Sequence, residues 1–176
     1  MPESDGMVTP ERWIALLRVM VGYWFIRALW AKLDLVLLGG IIPALVVEPR
    51  WIEVMPKIAA RQAAENPILW YKSFVEGTAI PHAVLFANLT AWGEVLVGVS
   101  LVLGLGAGLG ALGGLFLSLN YGIATWHVAL ASQGFHYMLV VAMVVLFLAR
   151  SGRAWGLDAR LSRRWPGAWF TRWPFA

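Results

Sequence analysis

Glu94 and the three histidines, His82, His127 and His136, offer the widest chemical scope in this chain. Glu94 falls in an apolar run, residues 84–103, where a bare carboxylate is expensive and must find a partner. Arg27 and Arg18, in an earlier apolar run, are its candidate partners, and Asn88, Thr90 and Asn120 can extend the network. At a rise of 1.5 Å per residue, Arg27 lies roughly 20 Å in from one end of its run and Glu94 roughly 15 Å in from the opposite side. Their heights agree to about 5 Å, within an arginine's reach, so Arg27 with Glu94 is the preferred pair. Arg18 reaches Glu94 only if the helices tilt or slide, and otherwise snorkels to its own interface, as Lys32 and Asp34 do to the opposite one. Such a pair can equally fix helix register without doing chemistry. With one central carboxylate, no internal repeat and no paired broken helices, a transporter is disfavoured.

The histidines converge at one end of the expected bundle: His82 before the second run, His127 late in the third and His136 at the start of the fourth. With Lys32, Asp34, Trp126 and Tyr137 they would frame an outer-leaflet pocket that holds a quinone headgroup by hydrogen bonds while its tail lies in lipid. Polar and aromatic residues collect at every membrane interface, so plain interfacial enrichment explains the same pattern. His127 and His136 are separated by a turn and do not share one helical face, so neither haem nor metal ligation is expected. The absence of cysteine excludes disulfides, iron–sulfur clusters and thiol catalysis.

The elements that must position these residues are set by hydropathy. Sixty per cent of the 176 residues are hydrophobic and 14% are charged, the composition of an integral membrane protein. Four runs approach the roughly 20 residues that cross a bilayer, at 13–38, 84–103, 107–130 and 135–148. The expected fold is all-α, a single-domain polytopic bundle of four transmembrane helices. The acidic N-terminal flank, with Glu3, Asp5 and Glu11 against Arg12, does not suit a signal peptide, so the first run is expected to stay in the mature protein.

In the tail, residues 150–176, six arginines face only Asp158, which by the positive-inside rule places both termini in the cytoplasm. The tail's Trp155, Trp165, Trp169 and Trp173 suit a leaflet surface, with arginines toward anionic lipid headgroups; membrane topology, not nucleic acid binding, explains the basic excess. The loop 39–82 carries balanced charge and reads as a short helical cap on the outer face, with Pro56 opening one helix toward Glu65. Asn66 and Pro67 cap another whose apolar positions are Ile68, Tyr71, Phe74 and Val75. Pro43, Pro49 and Pro81 punctuate it. Gly106, Gly110, Gly114, Ser118 and Gly122 put a small residue at every fourth position, a face for close helix packing.

Three stretches carry a family resemblance: LLRVMVGYWFIRALWAKL in the first run, WGEVLVGVSLVLGLGAGLGALGG through the second and third, and RSGRAWGLDARL after the fourth. Together they resemble the DoxX/DoxD family of small four-helix membrane proteins of bacteria and archaea. By position, the family's span-one arginine, its lysine, its span-two glutamate and its closing aspartate correspond to Arg18, Lys32, Glu94 and Asp158. Two departures stand out: Ala28 to Trp30 replace the glycine that commonly precedes the lysine, and the long outer loop is additional.

The resemblance implies a cytoplasmic-membrane subunit beside a redox enzyme, the DoxD branch being similar to a subunit of thiosulfate:quinone oxidoreductase. Any catalysis would then be that of a quinone-dependent oxidoreductase of which this chain is one subunit. The other expectation is a noncatalytic accessory subunit of a larger respiratory or photosynthetic complex, contacting other membrane or peripheral subunits through its aromatic surface.

Overall fold

The computed structural model describes residues 10–175. Glu3 and Asp5 of the acidic flank, and Ala176 of the tail, lie outside the described residues. The chain runs as α1 (Pro10–Ile26) and, after a one-residue interruption at Arg27, α2 (Ala28–Lys32), then strands β1 (Leu33–Leu38) and β2 (Ile42–Val47). Helices α3 (Pro49–Ala64) and α4 (Leu69–Phe74) follow, the latter continued by a π turn, Val75–Ala79. Three long helices come next: α5 (Ala83–Leu103), α6 (Ala107–Ala124) and α7 (Leu130–Leu148). A 3-10 turn (Ser151–Arg153), α8 (Leu157–Arg164) and a last 3-10 turn (Trp169–Thr171) complete it.

Four helices, with α1 and α2 taken as one, are long and apolar enough to cross a membrane. Their outward faces are apolar too: Met20, Leu96, Phe116 and Met138, one from each, are 61%, 65%, 66% and 74% exposed. So much apolar surface on every side is far more than a water-facing monomer carries. Inside, Val21, Phe25, Leu101, Ala111, Met143 and Leu146 form the main core.

Backbone-to-backbone closeness fixes the register of α1 against α5. A Cβ added at Gly22 would lie 2.8 Å from Val102 N, and one at Gly98 would lie 2.7 Å from Ile26 Cα, so only glycine fits at either crossing. The small-residue face of α6 packs as well: Gly110 lies against Ser100 and Leu101, Gly114 against Met143 and Val97, and Gly122 against His136, while Ser118 is fully buried. Gly106 is the exception. It adopts φ +58° in the α5–α6 turn with open space where a side chain would be, so it serves the turn and not the packing.

Several expectations need correction. The first apolar run does not remain helical to Leu38; it turns into an antiparallel hairpin in which Leu33 pairs with Val47 and Leu38 with Ile42. The fold is therefore mostly helical with one two-stranded sheet, not all-α. The cause is local: Gly39 and Gly40, at φ +60° and +77°, form the tight turn that two glycines between apolar runs favour, and branched residues flank them. The helix expected from Pro56 begins at Pro49 and carries Pro56 inside it. The third apolar run does not stay helical to Leu130: α6 ends at Ala124, where the Thr125 hydroxyl donates to Tyr121 O at 2.8 Å, and α7 starts at Leu130, ahead of the expected Phe135.

The loop between α2 and α5 does cap one end of the bundle. Trp51 Nε1 donates to Ala87 O at 3.1 Å and Asn66 Nδ2 to Ile123 O at 2.9 Å, while Asn66 Oδ1 accepts from Ile68 N at 2.9 Å in the turn before α4, whose N-cap is Ile68 and not the expected Asn66. The Tyr71 hydroxyl donates to Asn120 O at 3.4 Å, and its burial pushes the phenol above its ordinary pKa.

Candidate functional site

The α1–α5 register decides which cation meets Glu94. With Ile26 opposite Gly98, antiparallel helices bring Glu94 level with Trp30, about half a turn from Lys32 and nearly a full turn beyond Arg27. Lys32 Nζ accordingly sits 2.7 Å from Glu94 Oε2, both side chains being largely buried at 15% and 12% exposure. Tyr121 of α6 donates its hydroxyl to Glu94 Oε1, so both carboxylate oxygens are held. Lys32 Nζ also lies 4.1 Å from the centre of the Trp51 ring, a cation–π contact that adds to the pair.

The preferred Arg27–Glu94 pair is thus overturned. The exposed Arg27 guanidinium instead stacks 4.8 Å over the Trp24 ring, at the wall of the cavity described below. Lys32 does not snorkel away, and Asp34, exposed in the first hairpin strand, only accepts from Leu35 N at 3.0 Å. Asn88, Thr90 and Asn120 spend their side-chain donors on carbonyls of their own helices, those of Val84, Phe86 and Phe116, and take no part in the Glu94 network.

Arg18 does something else again. It is fully buried and donates to Ser151 O, to Ala154 O at 3.0 Å and to Trp155 O at 3.4 Å, clamping the turn after α7 to α1. Asp158, 2% exposed, accepts from Gly106 N at 2.8 Å and Ala107 N at 2.9 Å, capping the N-terminus of α6. Arg18 also feels the Asp158 charge. The four residues expected from the family pattern therefore meet as two groups, Lys32 with Glu94 toward the capped end and Arg18 near Asp158 at the other.

Lys32, Glu94 and Tyr121 form the polar end of a cavity of about 560 Å³ whose other walls include Trp24, Phe135 and His136. Trp24 and Phe135 meet edge to face at 4.9 Å, and the His136 ring lies 5.4 Å from Phe135 and 6.3 Å from Tyr121. His136 Nδ1 is buried and finds no hydrogen-bond partner among the described residues. A flat, mostly apolar molecule with one or two polar atoms suits this space.

The expected histidine pocket does not assemble as a unit. Only Lys32 and His136 of its residues line the cavity. His82 Nδ1 lies 2.9 Å from Thr78 O in the cap. His127 sits in the α6–α7 turn, and Trp126 meets Tyr137 edge to face at 5.9 Å instead of entering the cavity. Among the described residues no group of three His, Asp or Glu could hold a metal ion.

Tyr121 and Trp51 were the residues missed. A signal for Tyr121 existed: it lies three residues after Ser118 and seven after Gly114, hence on the small, packed face of α6, whereas Asn120 does not. Trp51 comes from the distant α3, and no local pattern points it at Lys32. No family model, no curated protein and no solved structure matches the chain.

Proposed function

We propose that this chain is a four-span membrane protein that binds a quinone headgroup in the cavity between α1, α5, α6 and α7, as a DoxX/DoxD-like subunit of a quinone-linked redox complex. The observation that carries this reading is the cavity itself, where a fixed cationic group and an imidazole share their space with aromatic walls. Its size is within the usual range for small-molecule sites. A quinone ring carries two carbonyl acceptors on an apolar disc. The fitting donors are Lys32 Nζ, the His136 ring and the Arg27 guanidinium, with the touching Trp24 and Phe135 rings as an apolar wall.

A bound quinone supplies the two-electron, two-proton acceptor, and its electrons must come from a partner subunit, because the chain has no cysteine or flavin fingerprint of its own. The chain's residues bind and orient. Glu94 holds the Lys32 ammonium in place, and Tyr121 keeps the second carboxylate oxygen from competing for the ligand. In this reading the four helices cross a bacterial or archaeal cytoplasmic membrane with both termini inside, and the pairwise meeting of Arg18, Lys32, Glu94 and Asp158 supports the family assignment. Thiosulfate oxidation by the partner is what the DoxD branch of that resemblance suggests.

The test is quinone titration of the purified protein in lipid nanodiscs, read by quenching of Trp24 and its neighbours. His136→Ala should weaken binding about tenfold, the worth of one lost hydrogen bond in a dry site. Equal affinity in His136→Ala and the parent would dismiss the site. Exposed Trp155, Trp165 and Trp169, at 68%, 51% and 68%, favour a second reading as an accessory subunit that docks on a larger complex. Mass spectrometry of the complex isolated gently from native membranes separates the two: a sulfur-oxidising partner with stoichiometric quinone supports the first, a large respiratory or photosynthetic assembly the second.

A further inference from the structure

At the end of the bundle opposite the Lys32–Glu94 pair, the structure gathers arginines around two adjoining cavities. One cavity of about 350 Å³ is lined by Arg12, Arg150 and Arg153 together with Ile14 and Trp155. A second, of about 580 Å³, shares Arg153 and Trp155 and adds Arg160 and Arg163 over Val102 and Leu103. Arg12 lies 5.8 Å from the centre of the Trp155 ring, which holds its guanidinium beside the first cavity.

Protein counter-charge is scarce here. The salt bridges among the described residues are Lys32–Glu94 and Lys72–Glu76, so Arg12, Arg153, Arg160 and Arg163 take part in none. Glu11 lines the first cavity without bridging to any of them. Asp158 spends its carboxylate on two backbone N–H groups of α6. Burial, and then the neighbouring Arg153, push the Arg150 guanidinium below its ordinary pKa. Arg12 and Arg153 around one cavity, and Arg153, Arg160 and Arg163 around the next, make a place where an anion from outside the chain is stabilised.

We infer that these adjoining cavities are a binding site for an anionic phospholipid, whose phosphodiester is held by Arg12, Arg153 and Arg160 and whose acyl chains descend along the bundle. The apolar floor distinguishes a lipid from free phosphate: Ile14, Val102 and Leu103 face the cavities, and Trp13 and Leu103, 58% and 45% exposed, continue the path onto the outer surface. Guanidinium groups suit a phosphodiester because they offer paired donors in a plane. The site rests on the membrane-embedded reading of the chain and not on its quinone site, and basic recesses beside spanning helices are where such headgroups bind.

The test is native mass spectrometry of the full chain, delipidated in detergent and titrated with dioleoyl phosphatidylglycerol or dioleoyl phosphatidylcholine. One phosphatidylglycerol should bind about tenfold more tightly than phosphatidylcholine, and Arg153→Gln or Arg160→Gln should each remove most of that preference, the worth of a charge-assisted hydrogen bond. Arg164→Gln and Arg172→Gln, which remove charge outside both cavities, should change it less than about twofold.

Equal binding of the two lipids would overturn the proposal. So would an equal loss in Arg164→Gln, which would mean diffuse surface attraction. Displacement of the lipid by millimolar inorganic phosphate would assign the arginines to free phosphate instead. Failure of the underlying membrane reading would show separately, as protein extracted from membranes by alkaline carbonate.

Discussion

Glu94→Gln isolates the central ion pair, because the amide keeps the shape of the carboxylate and can still accept from Tyr121 while removing the charge that faces Lys32. At 2.7 Å and with 15% and 12% exposure, the pair is close to fully desolvated. Removing one member of such a pair costs about 3–5 kcal/mol, and residual solvent together with the Trp51 ring should hold the loss near the lower limit, about 3 kcal/mol. Lys32→Met alone should cost a similar amount, since it strands the carboxylate. The double variant, which leaves no unpaired charge, should cost less than the two losses added together, about 4 kcal/mol in place of about 6, a coupling energy of about 2 kcal/mol. The assay is reversible urea unfolding of all four proteins in the same detergent micelle, followed by tryptophan fluorescence. A coupling energy below about 0.5 kcal/mol would show that the two groups do not act on each other, and the assignment of Lys32 as the partner would fall. Running Arg27→Met against Glu94→Gln in the same cycle is the control: Arg27 stacks on Trp24 and should be additive with Glu94.

Arg18→Met strands three tail carbonyls and should cost about 2–3 kcal/mol, with protease cutting near Trp155 rising before the bundle unfolds; an unchanged cutting rate would exclude the clamp. Asp158→Asn weakens the cap on α6 and should lower stability by about 1 kcal/mol, read by thermal unfolding. Gly98→Ala drives a methyl into the Ile26 backbone and should destabilise by about 2–3 kcal/mol. Gly114→Ala meets the end of Met143 and a methyl of Val97, side chains and not backbone, and should cost less, so the reverse order would refute the α1–α5 register. His127→Ala should leave quinone affinity unchanged while His136→Ala lowers it, because only His136 lines the cavity.

Much of the architecture was legible from hydropathy. Four helices apolar enough to cross a membrane follow from composition and run length, since a side chain's preference for apolar surroundings belongs to the residue and needs no knowledge of its neighbours. The hairpin was hidden by the same measure: residues 33–47 are as apolar as a helix end, and only the adjacent glycines at 39 and 40 announce the turn. The turn at Asn66 and Pro67 was local and therefore readable, although α4 starts at Leu69 and not at Pro67, whereas the start of α3 at Pro49 was obscured by Pro56 inside it.

For the site, the sequence by itself determined that Glu94 needs a cation, because an unpaired carboxylate in an apolar run is costly wherever the other helices lie. Which cation it takes was a tertiary matter. Arg27 and Lys32 are five residues apart, about 7.5 Å along an ideal helix, and depth counting from uncertain helix ends cannot resolve such a difference. The contact of Gly98 with Ile26 and of Gly22 with Val102 resolves it, fixing height and azimuth together and handing Glu94 to Lys32 and Tyr121. Composition and run length are sums over residues and survive in the sequence. Register is a relation between surfaces far apart in the chain, and it exists only once those surfaces have packed.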